Sequence, residues 1–552
     1  MPYHHTFVRR IATACALSVA ALIADAQPQA TDAVFIMPSK CVYETCEDMW
    51  FKAYVLDMST HRLSEKSNTL YLRITNPKDS VVWFEQYPLY AGRTEGQVYV
   101  GDSWQPGDYR IDGFTRSSLG DSTKVLMPRR IVVLDNLQKM DSVHLAHATD
   151  RFAAPIETTG NLRINIRLDS TEYHTKSLVQ IDFEVTDGNG VPALSEMAVT
   201  VYDWLYHAPF AYDDIVAHYT AAGNNPQGNE FLPDGVAGKL RIGSKKRARE
   251  LGGMPGEQYL NFYAPDGTAN FIATAADGSF VIPRDALAEL PRDFFIKPVS
   301  GHELKPEISI RNTNGEIEKF IEGKNVEWSH AIFDTHEQNS DTVPSYAGRR
   351  TYHLDDIEVS ARVRYPKRDK FYGYLDSVST TYGSAWVCRH AHGDEYLNDY
   401  RAGYTHHPNG YGMDIDGPVQ VLRPVKGKSY KIVRYDTSEG KIIGNLIDLT
   451  TTEFRGERLS EEELLKLNGI WKAQGYYPHR TFMNPTREDV ESGLFDNANT
   501  LLWHPSLLTD RNGMASVKFY TSDIATTFYI VVNAVDSYGN IGTATGTFNV
   551  MR

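Results

Sequence analysis

Residues 388–396 read CRHAHGDEY and put a thiol, two imidazoles and a carboxylate within eight positions: Cys388, His390, His392 and Glu395. These are zinc-ligand types, and His392 with Glu395 has the H-x-x-E spacing of zinc hydrolases. A catalytic zinc also needs a third ligand and a catalytic carboxylate on a scaffold of alternating strands and helices, which this neighbourhood does not show. With 18 histidines in the chain, one such spacing arises by chance, so a polar loop is the competing reading. Nearby, His406 and His407 are adjacent and would point to opposite faces of an extended segment. Asp414 and Asp416 before Gly417 resemble only part of a calcium loop. VKGKSY at 425–430 ends like a phosphate loop, but Leu422 stands where its first glycine belongs. No G-x-S-x-G nucleophile elbow occurs.

A second concentration is CVYETCEDMWFKAYVLD, residues 41–57, where Cys41 and Cys46 precede a strand-like apolar run. A metal clip, a redox pair and a structural staple all compete here. The N-terminus helps to decide: Arg9 and Arg10, an apolar run over 11–23 and Ala24-Asp25-Ala26 have the order of a secretory signal peptide, so residues 1–26 are expected to be removed. Export favours disulfides. A zinc site wants four ligands, and a redox pair wants C-x-x-C at a helix start. The expectation is therefore a Cys41–Cys46 staple, with Cys388 free or paired elsewhere.

The elements that must position these groups are mostly strands. In LRINIRL, Leu162, Ile164, Ile166 and Leu168 alternate with polar residues, and VQIDFEV (179–185) does the same; the turn DGNG and the strand MAVTV follow. Earlier, MWFKAYVL, NTLYLRIT, VVWFEQY, QVYV and PGDYRIDGF repeat the pattern over about a hundred residues, the spacing of a β-sandwich. Helix is expected mainly at about 460–474, where Ser460 and Glu463 form a capping box, Leu464, Leu467 and Trp471 share a face, and Gly475 follows. At 552 residues the chain needs several cores. Its 56 basic and 70 acidic residues leave a net charge of −14 without a basic block, which argues against nucleic acid. Beyond the N-terminus no segment is apolar over a membrane-spanning length.

Two stretches resemble a known family. Tyr43, Glu47, Trp50-Phe51-Lys52-Ala53-Tyr54, Leu63-Ser64, Asn76-Pro77, Gly92 and Pro106-Gly107-Asp108-Tyr109-Arg110 resemble the macroglobulin-type β-sandwich near the N-terminus of alpha-macroglobulins, in the version carried by exported Bacteroidota envelope proteins. Cys46 stands where that family usually has glycine, a substitution that the staple would accommodate. The tail, TLLWHPSLLTDRNGMASVKFYTSDIATTFYIVV, resembles the family's signature of a Trp and recurring Thr-Asp and Ser-Asp turns. Residues 162–203 resemble a second such sandwich, 238–283 a carboxypeptidase-regulatory-like sandwich, and 354–359 the strand preceding the plug of TonB-dependent receptors. The Cys-Gly-Glu-Gln thioester motif is missing, and no barrel strands follow Val359.

The expected fold class is mainly β, with tandem immunoglobulin-like or macroglobulin-like sandwiches and few short helices. The expected divisions are a signal peptide at 1–26, sandwiches at 33–135, 150–230 and 231–315, a linker with a receptor-like strand at 316–362, an unplaced region at 363–497 with one helix, and C-terminal macroglobulin-like strands at 498–552. What the resemblance implies is a non-enzymatic exported scaffold or binding protein, periplasmic or outer-membrane-associated in a Gram-negative envelope. It would be held through an outer-membrane protein complex of TonB-dependent uptake or assembly rather than by a transmembrane helix. No cofactor is expected on this reading, zinc entering only with the 388–395 cluster, and the resemblance does not name a small-molecule ligand. The alternatives are a zinc-dependent hydrolase using the 388–395 cluster and a thioester-less protease binder.

Overall fold

The computed structural model describes residues 32–118, 128–134, 158–207, 214–222, 232–252, 256–263, 269–299, 306–322, 385–390, 393–398, 413–414, 417–418, 420–425, 427–438, 441–454, 465, 469–493, 495 and 498–552. The chain is mainly β and forms two compact units. The first holds residues 1–234, 313–352 and 479–552, and the second holds 235–312 and 353–478. The expected signal peptide and the receptor-like strand at 354–359 lie outside the described residues.

The first sandwich spans 32–134. One of its sheets places β1 (Asp32–Pro38) on one side of β3 (Glu47–Asp57), and β7 (Arg93–Val100) and β4 (Arg62–Leu63) also pair with β3. The other runs β2 (Val42–Glu44), β9 (Arg129–Leu134), β8 (Gly107–Phe114), β5 (Thr69–Thr75), β6 (Val81–Pro88). Alternation along β3 sends Met49, Phe51, Ala53 and Val55 into the core, all fully buried. There Phe51 meets Tyr87 edge to face at 5.0 Å between ring centroids. On the outside of the five-stranded sheet, Tyr71 and Phe114 are covered by Leu232 and by Ile317 of a helix, Thr313–Ile321.

The second sandwich is assembled from two remote pieces of chain. Its larger sheet runs β10 (Thr158–Gly160), β32 (Ile541–Met551), β31 (Thr527–Asp536), β14 (Ser195–Asp203), β29 (Thr500–Leu508), with β12 (Glu172–His174) also on β32; the facing sheet is β11 (Arg163–Leu168), β13 (Leu178–Thr186), β30 (Met514–Tyr520). Ile164, Val179, Phe183, Val199, Val201, Phe519, Ile530, Val532 and Phe548 share one core. A single loop design joins consecutive strands of this unit, in the hairpins β5–β6 and β31–β32 and in the crossings between sheets from β13 to β14 and from β29 to β30. Asn76, Asp187, Asp510 and Asp536 each accept backbone N–H bonds two and four residues ahead, at 2.8–2.9 Å, through one side-chain oxygen. The fourth loop residue is left-handed: Asp79, Gly190, Gly513 and Gly539.

The two sandwiches meet face to face. Side chains that point away from each core, Phe35, Met37, Tyr54 and Leu56 on one side and Ala198, Trp503 and Val535 on the other, form a shared apolar layer with Ile215 and Tyr219 of the helix Ile215–Ala222. Unit 1 is thus a stack of four sheets, and β3 and β14 are buried on both faces.

The second unit contains its own sandwich, with β18 (Ser279–Pro283), β15 (Gly235–Ile242), β20 (Pro306–Ile310) against β17 (Ala269–Ala273), β16 (Tyr259–Tyr263), β19 (Asp293–Pro298), β28 (Trp471–Gln474). Leu240, Leu260, Phe262, Phe280, Ile282 and Phe294 fill it. A further sheet runs β25 (Gln420–Leu422), β21 (Trp386–Arg389), β22 (Glu395–Asn398), β26 (Ser429–Ser438), β27 (Lys441–Glu453), and β23 (Met413–Asp414) with β24 (Gly417–Pro418) makes a separate short ribbon.

Three expectations are corrected. Residues 150–230 and 498–552 are not separate pieces: β14 pairs with both β29 and β31, so neither half has a sheet of its own. The start of the expected linker is helical over 313–321, held by the buried Ile317. The helix expected at 460–474 does not reach its forecast end. Gly469 takes φ 65° and the Ile470 N–H donates to the Leu465 carbonyl at 3.0 Å, the closure of a helix C-terminus, and Trp471–Gln474 then joins the edge of β19. The N-terminal residues of that segment lie outside the described set.

Candidate functional site

Of the four expected metal ligands, His392 lies outside the described residues. The other three do not converge. Cys388 sits opposite Tyr396 and Arg389 opposite Glu395 in the antiparallel pair β21–β22, so Cys388 and Glu395 project from opposite faces. Cys388 is fully buried, its Sγ accepts from Asn398 Nδ2 at 3.2 Å, and burial pushes its thiol up to about 11. His390 is buried with its ring 5.1 Å from that of Tyr396. Glu395 lies between Lys428, at 2.5 Å, and Arg389. Burial raises its carboxyl, but these two cations hold it below the ordinary range. Among the described residues no group of three or more His, Cys, Asp or Glu could hold a metal ion. The cluster is a buried thiol on one face and an ion-paired carboxylate on the other.

The expected Cys41–Cys46 staple is not formed: neither cysteine takes part in a disulfide. Cys41 is packed with Val42, Tyr202, Leu205 and Tyr206 where the sandwiches meet. Cys46 is exposed at the turn into β3, where its N–H donates to the Val100 carbonyl at 2.7 Å and its φ is 68°. The glycine-like backbone at this position is real, but the turn is fixed by the strands on either side and not by a cross-link.

The polar feature that the sequence reading missed lies in the joint of unit 1. Lys52, on the outward side of β3 and 2% exposed, places Nζ 2.7 Å from Glu196 Oε1 on β14, 3.3 Å from Glu95 Oε2 on β7 and 2.6 Å from Ser506 Oγ on β29. Arg93 Nε adds a contact to Glu196 at 3.3 Å. A second buried cation, Lys40, bonds Glu47 at 2.7 Å and Asn499 Oδ1 at 2.9 Å, with its Nζ over the rings of Tyr206 and Tyr43. Burial raises the Glu47 carboxyl, and Lys40 opposes that shift. No local signal marks this feature: Trp50-Lys52-Tyr54 lies on the face that an isolated sandwich would leave wet, where a lysine is ordinary.

In the second unit, the outer face of the β17–β16–β19–β28 sheet carries exposed apolar side chains. Phe271 is 64%, Tyr259 51% and Val299 55% exposed, and the Phe271 and Tyr259 rings stand edge to face at 6.2 Å. At the other end of the same face, Phe295 is buried by Leu465 and Ile470.

No family model and no curated protein matches the sequence. Among solved structures, the chain is similar to an Escherichia coli alpha-2-macroglobulin at 9% identity and a TM-score of 0.26, covering 94% of this chain and 40% of that one. A Salmonella alpha-2-macroglobulin gives 8%, 0.26, 96% and 40%. The Escherichia coli adhesin FdeC gives 9% identity and a TM-score of 0.16, over 49% of this chain and 60% of that one. The chain spans about 40% of the macroglobulin chains it resembles.

Proposed function

We propose that this chain is a non-enzymatic binding scaffold of macroglobulin type, exported to a Gram-negative envelope and serving an outer-membrane complex such as a TonB-dependent uptake or assembly system. The observation that carries the scaffold reading is the joint of unit 1. Two sandwiches share an apolar layer across which the buried Lys52 of one pairs with Glu196 of the other, so they present their outer strands and end-loops as one rigid body. Stiffness of this kind lowers the entropy lost when a partner docks. Charge supports a protein partner over nucleic acid, since the net charge is −14. No cofactor enters the proposal.

The test is cross-linking in native envelopes followed by identification of the linked residues, with metal content measured on the same purified protein. Cross-links from unit 1 to an outer-membrane protein, in metal-free material, support the reading. Stoichiometric metal with hydrolytic activity and no cross-linked partner overturns it. Stable complexes with added proteases in place of an envelope partner would point to a protease binder.

A further inference from the structure

We infer that one end of the sandwich in the second unit docks on an anionic lipid surface, with a basic helix on the headgroup phosphates and three exposed apolar side chains at the headgroup boundary. Four of the five residues 245–249 are basic, a block that the net charge of −14 conceals. Ser244 caps the helix Lys245–Leu251 by accepting from the Arg247 N–H at 3.3 Å, and Gly252 closes it at φ 67°. At 3.6 residues per turn, Lys245, Lys246 and Arg249 fall within an arc of about 100°, and all three are exposed. Arg247 lies off that arc and pairs with Glu250 at 3.2 Å. Like charges three and four positions apart repel. Among the described residues no ion pair engages Lys245, Lys246 or Arg249, so an anion from outside is what can relieve that repulsion.

The strands bring apolar side chains to the same end. β15 finishes at Ile242, opposite Pro306 at the start of β20, and the helix follows directly. The turn from β17 to β18 lies beside it, with the Leu240 N–H donating to the Gly278 carbonyl at 2.8 Å. In the facing sheet this end carries Ala273 of β17 opposite Tyr259 of β16, and the Val299 N–H donates to the Tyr259 carbonyl at 2.8 Å. Phe271 stands two residues further along β17 on the same face, its ring 6.2 Å from that of Tyr259. Tyr259, Phe271 and Val299 are each more than half exposed.

Charge decides what covers this end. Its other carboxylates are matched: Asp277 bonds Lys239 at 2.7 Å, and Glu307 stands across from Arg241 in the β15–β20 pair. Among the described residues exposed Glu257 is left against the three helix cations, so this end is locally positive on an acidic chain. A negative surface repels the rest of the chain and attracts this end, which fixes the approach. The apolar side chains beside the cations select a lipid leaflet over a soluble polyanion, because Phe, Tyr and Val gain by leaving water at the headgroup boundary. Each cation held beside an anionic leaflet strengthens binding about fivefold.

The experiment is co-sedimentation of the purified chain with vesicles of phosphatidylcholine alone and of phosphatidylcholine with about 30% phosphatidylglycerol. The variants are Lys245→Ala/Lys246→Ala/Arg249→Ala, Phe271→Ser and, as a charge control on exposed residues of unit 1, Arg163→Ala/Lys518→Ala. All the altered side chains are exposed, so each variant is expected to keep the parent's urea midpoint. The expected result is binding to the anionic vesicles only, weakened by added salt. The triple variant loses about a hundredfold in affinity, Phe271→Ser loses about fivefold with the salt dependence kept, and the unit 1 control binds as the parent does. No binding to anionic vesicles overturns the proposal, as does binding indifferent to the triple variant or lost equally in the control. Capture by heparin without vesicle binding assigns the cations to a soluble polyanion and likewise overturns it. None of these outcomes bears on the scaffold reading of unit 1, whose cross-links are scored separately.

Discussion

Lys52→Met tests whether the buried cation holds the two sandwiches of unit 1 together. Its ammonium sits 2.7 Å from Glu196 and 3.3 Å from Glu95. At an effective dielectric near 20 these separations correspond to about 6 and about 5 kcal/mol of attraction. Desolvation offsets several kcal/mol of that for a cation this buried, and Glu95, 30% exposed, contributes less than its distance suggests. Removing the cation alone leaves two carboxylates facing each other with only Arg93 close to Glu196. The expected loss is about 3 kcal/mol, within the range for stripping one partner from a buried pair.

Glu95→Gln by itself should cost under about 1 kcal/mol, because Lys52 keeps Glu196. In the Lys52→Met background the same change removes the stranded charge and should recover about 1–2 kcal/mol, giving a clear coupling energy. The assay is urea unfolding of the four proteins of this cycle, followed by tryptophan fluorescence, with Trp50 and Trp503 reporting from the two sides of the joint. A Lys52→Met loss below about 0.5 kcal/mol, or strict additivity with Glu95→Gln, would refute the claim that this cation organises the joint.

Three further outcomes follow from the same geometry. His218 is buried beside the Phe35 and Tyr219 rings, and desolvation, aided by Arg129, pushes it down to about 4 from 6.5. The unfolded chain then binds the extra proton, so this stabilisation is complete above pH 6.5 and lost as pH falls towards 4; unfolding curves should show His218→Phe with one proton less of pH dependence in that window. Gly539 has φ 87°, and a Cβ there would lie 1.6 Å from the His61 carbonyl oxygen, so Gly539→Ala should lower the urea midpoint by an amount equivalent to about 2–4 kcal/mol, with little change expected for Gly190→Ala beyond backbone strain, since nothing lies within 4 Å there. A thiol reagent at pH 8 should label Cys46 in the folded protein and reach Cys41 and Cys388 only after unfolding; rapid labelling of Cys388 would contradict its burial.

The alternation in Leu162–Ile164–Ile166 and Val179–Ile181–Phe183 was legible because each strand buries one face in its own sandwich, and a period of two records that directly. The run Trp50–Tyr54 was read as a strand for the same reason, yet its outward side gave no hint of its destination. An outer face covered by another sandwich carries Lys52 and Tyr54 much as a solvated face would, and only the carboxylate supplied by Glu196, 144 positions later, distinguishes the two. Strand pairing between β14 and β29 is almost as silent locally, because a ladder's hydrogen bonds use backbone groups that every residue but proline possesses, and the one proline of β29, Pro505, falls where the register with β14 shifts. The site fared worse than the fold for a related reason. Ligand spacing in CRHAHGDEY counts positions along the chain, whereas coordination depends on which face each residue takes. In the β21–β22 pair, Arg389 and not Cys388 stands across from Glu395, so the carboxylate is bound to a guanidinium before any metal could compete for it.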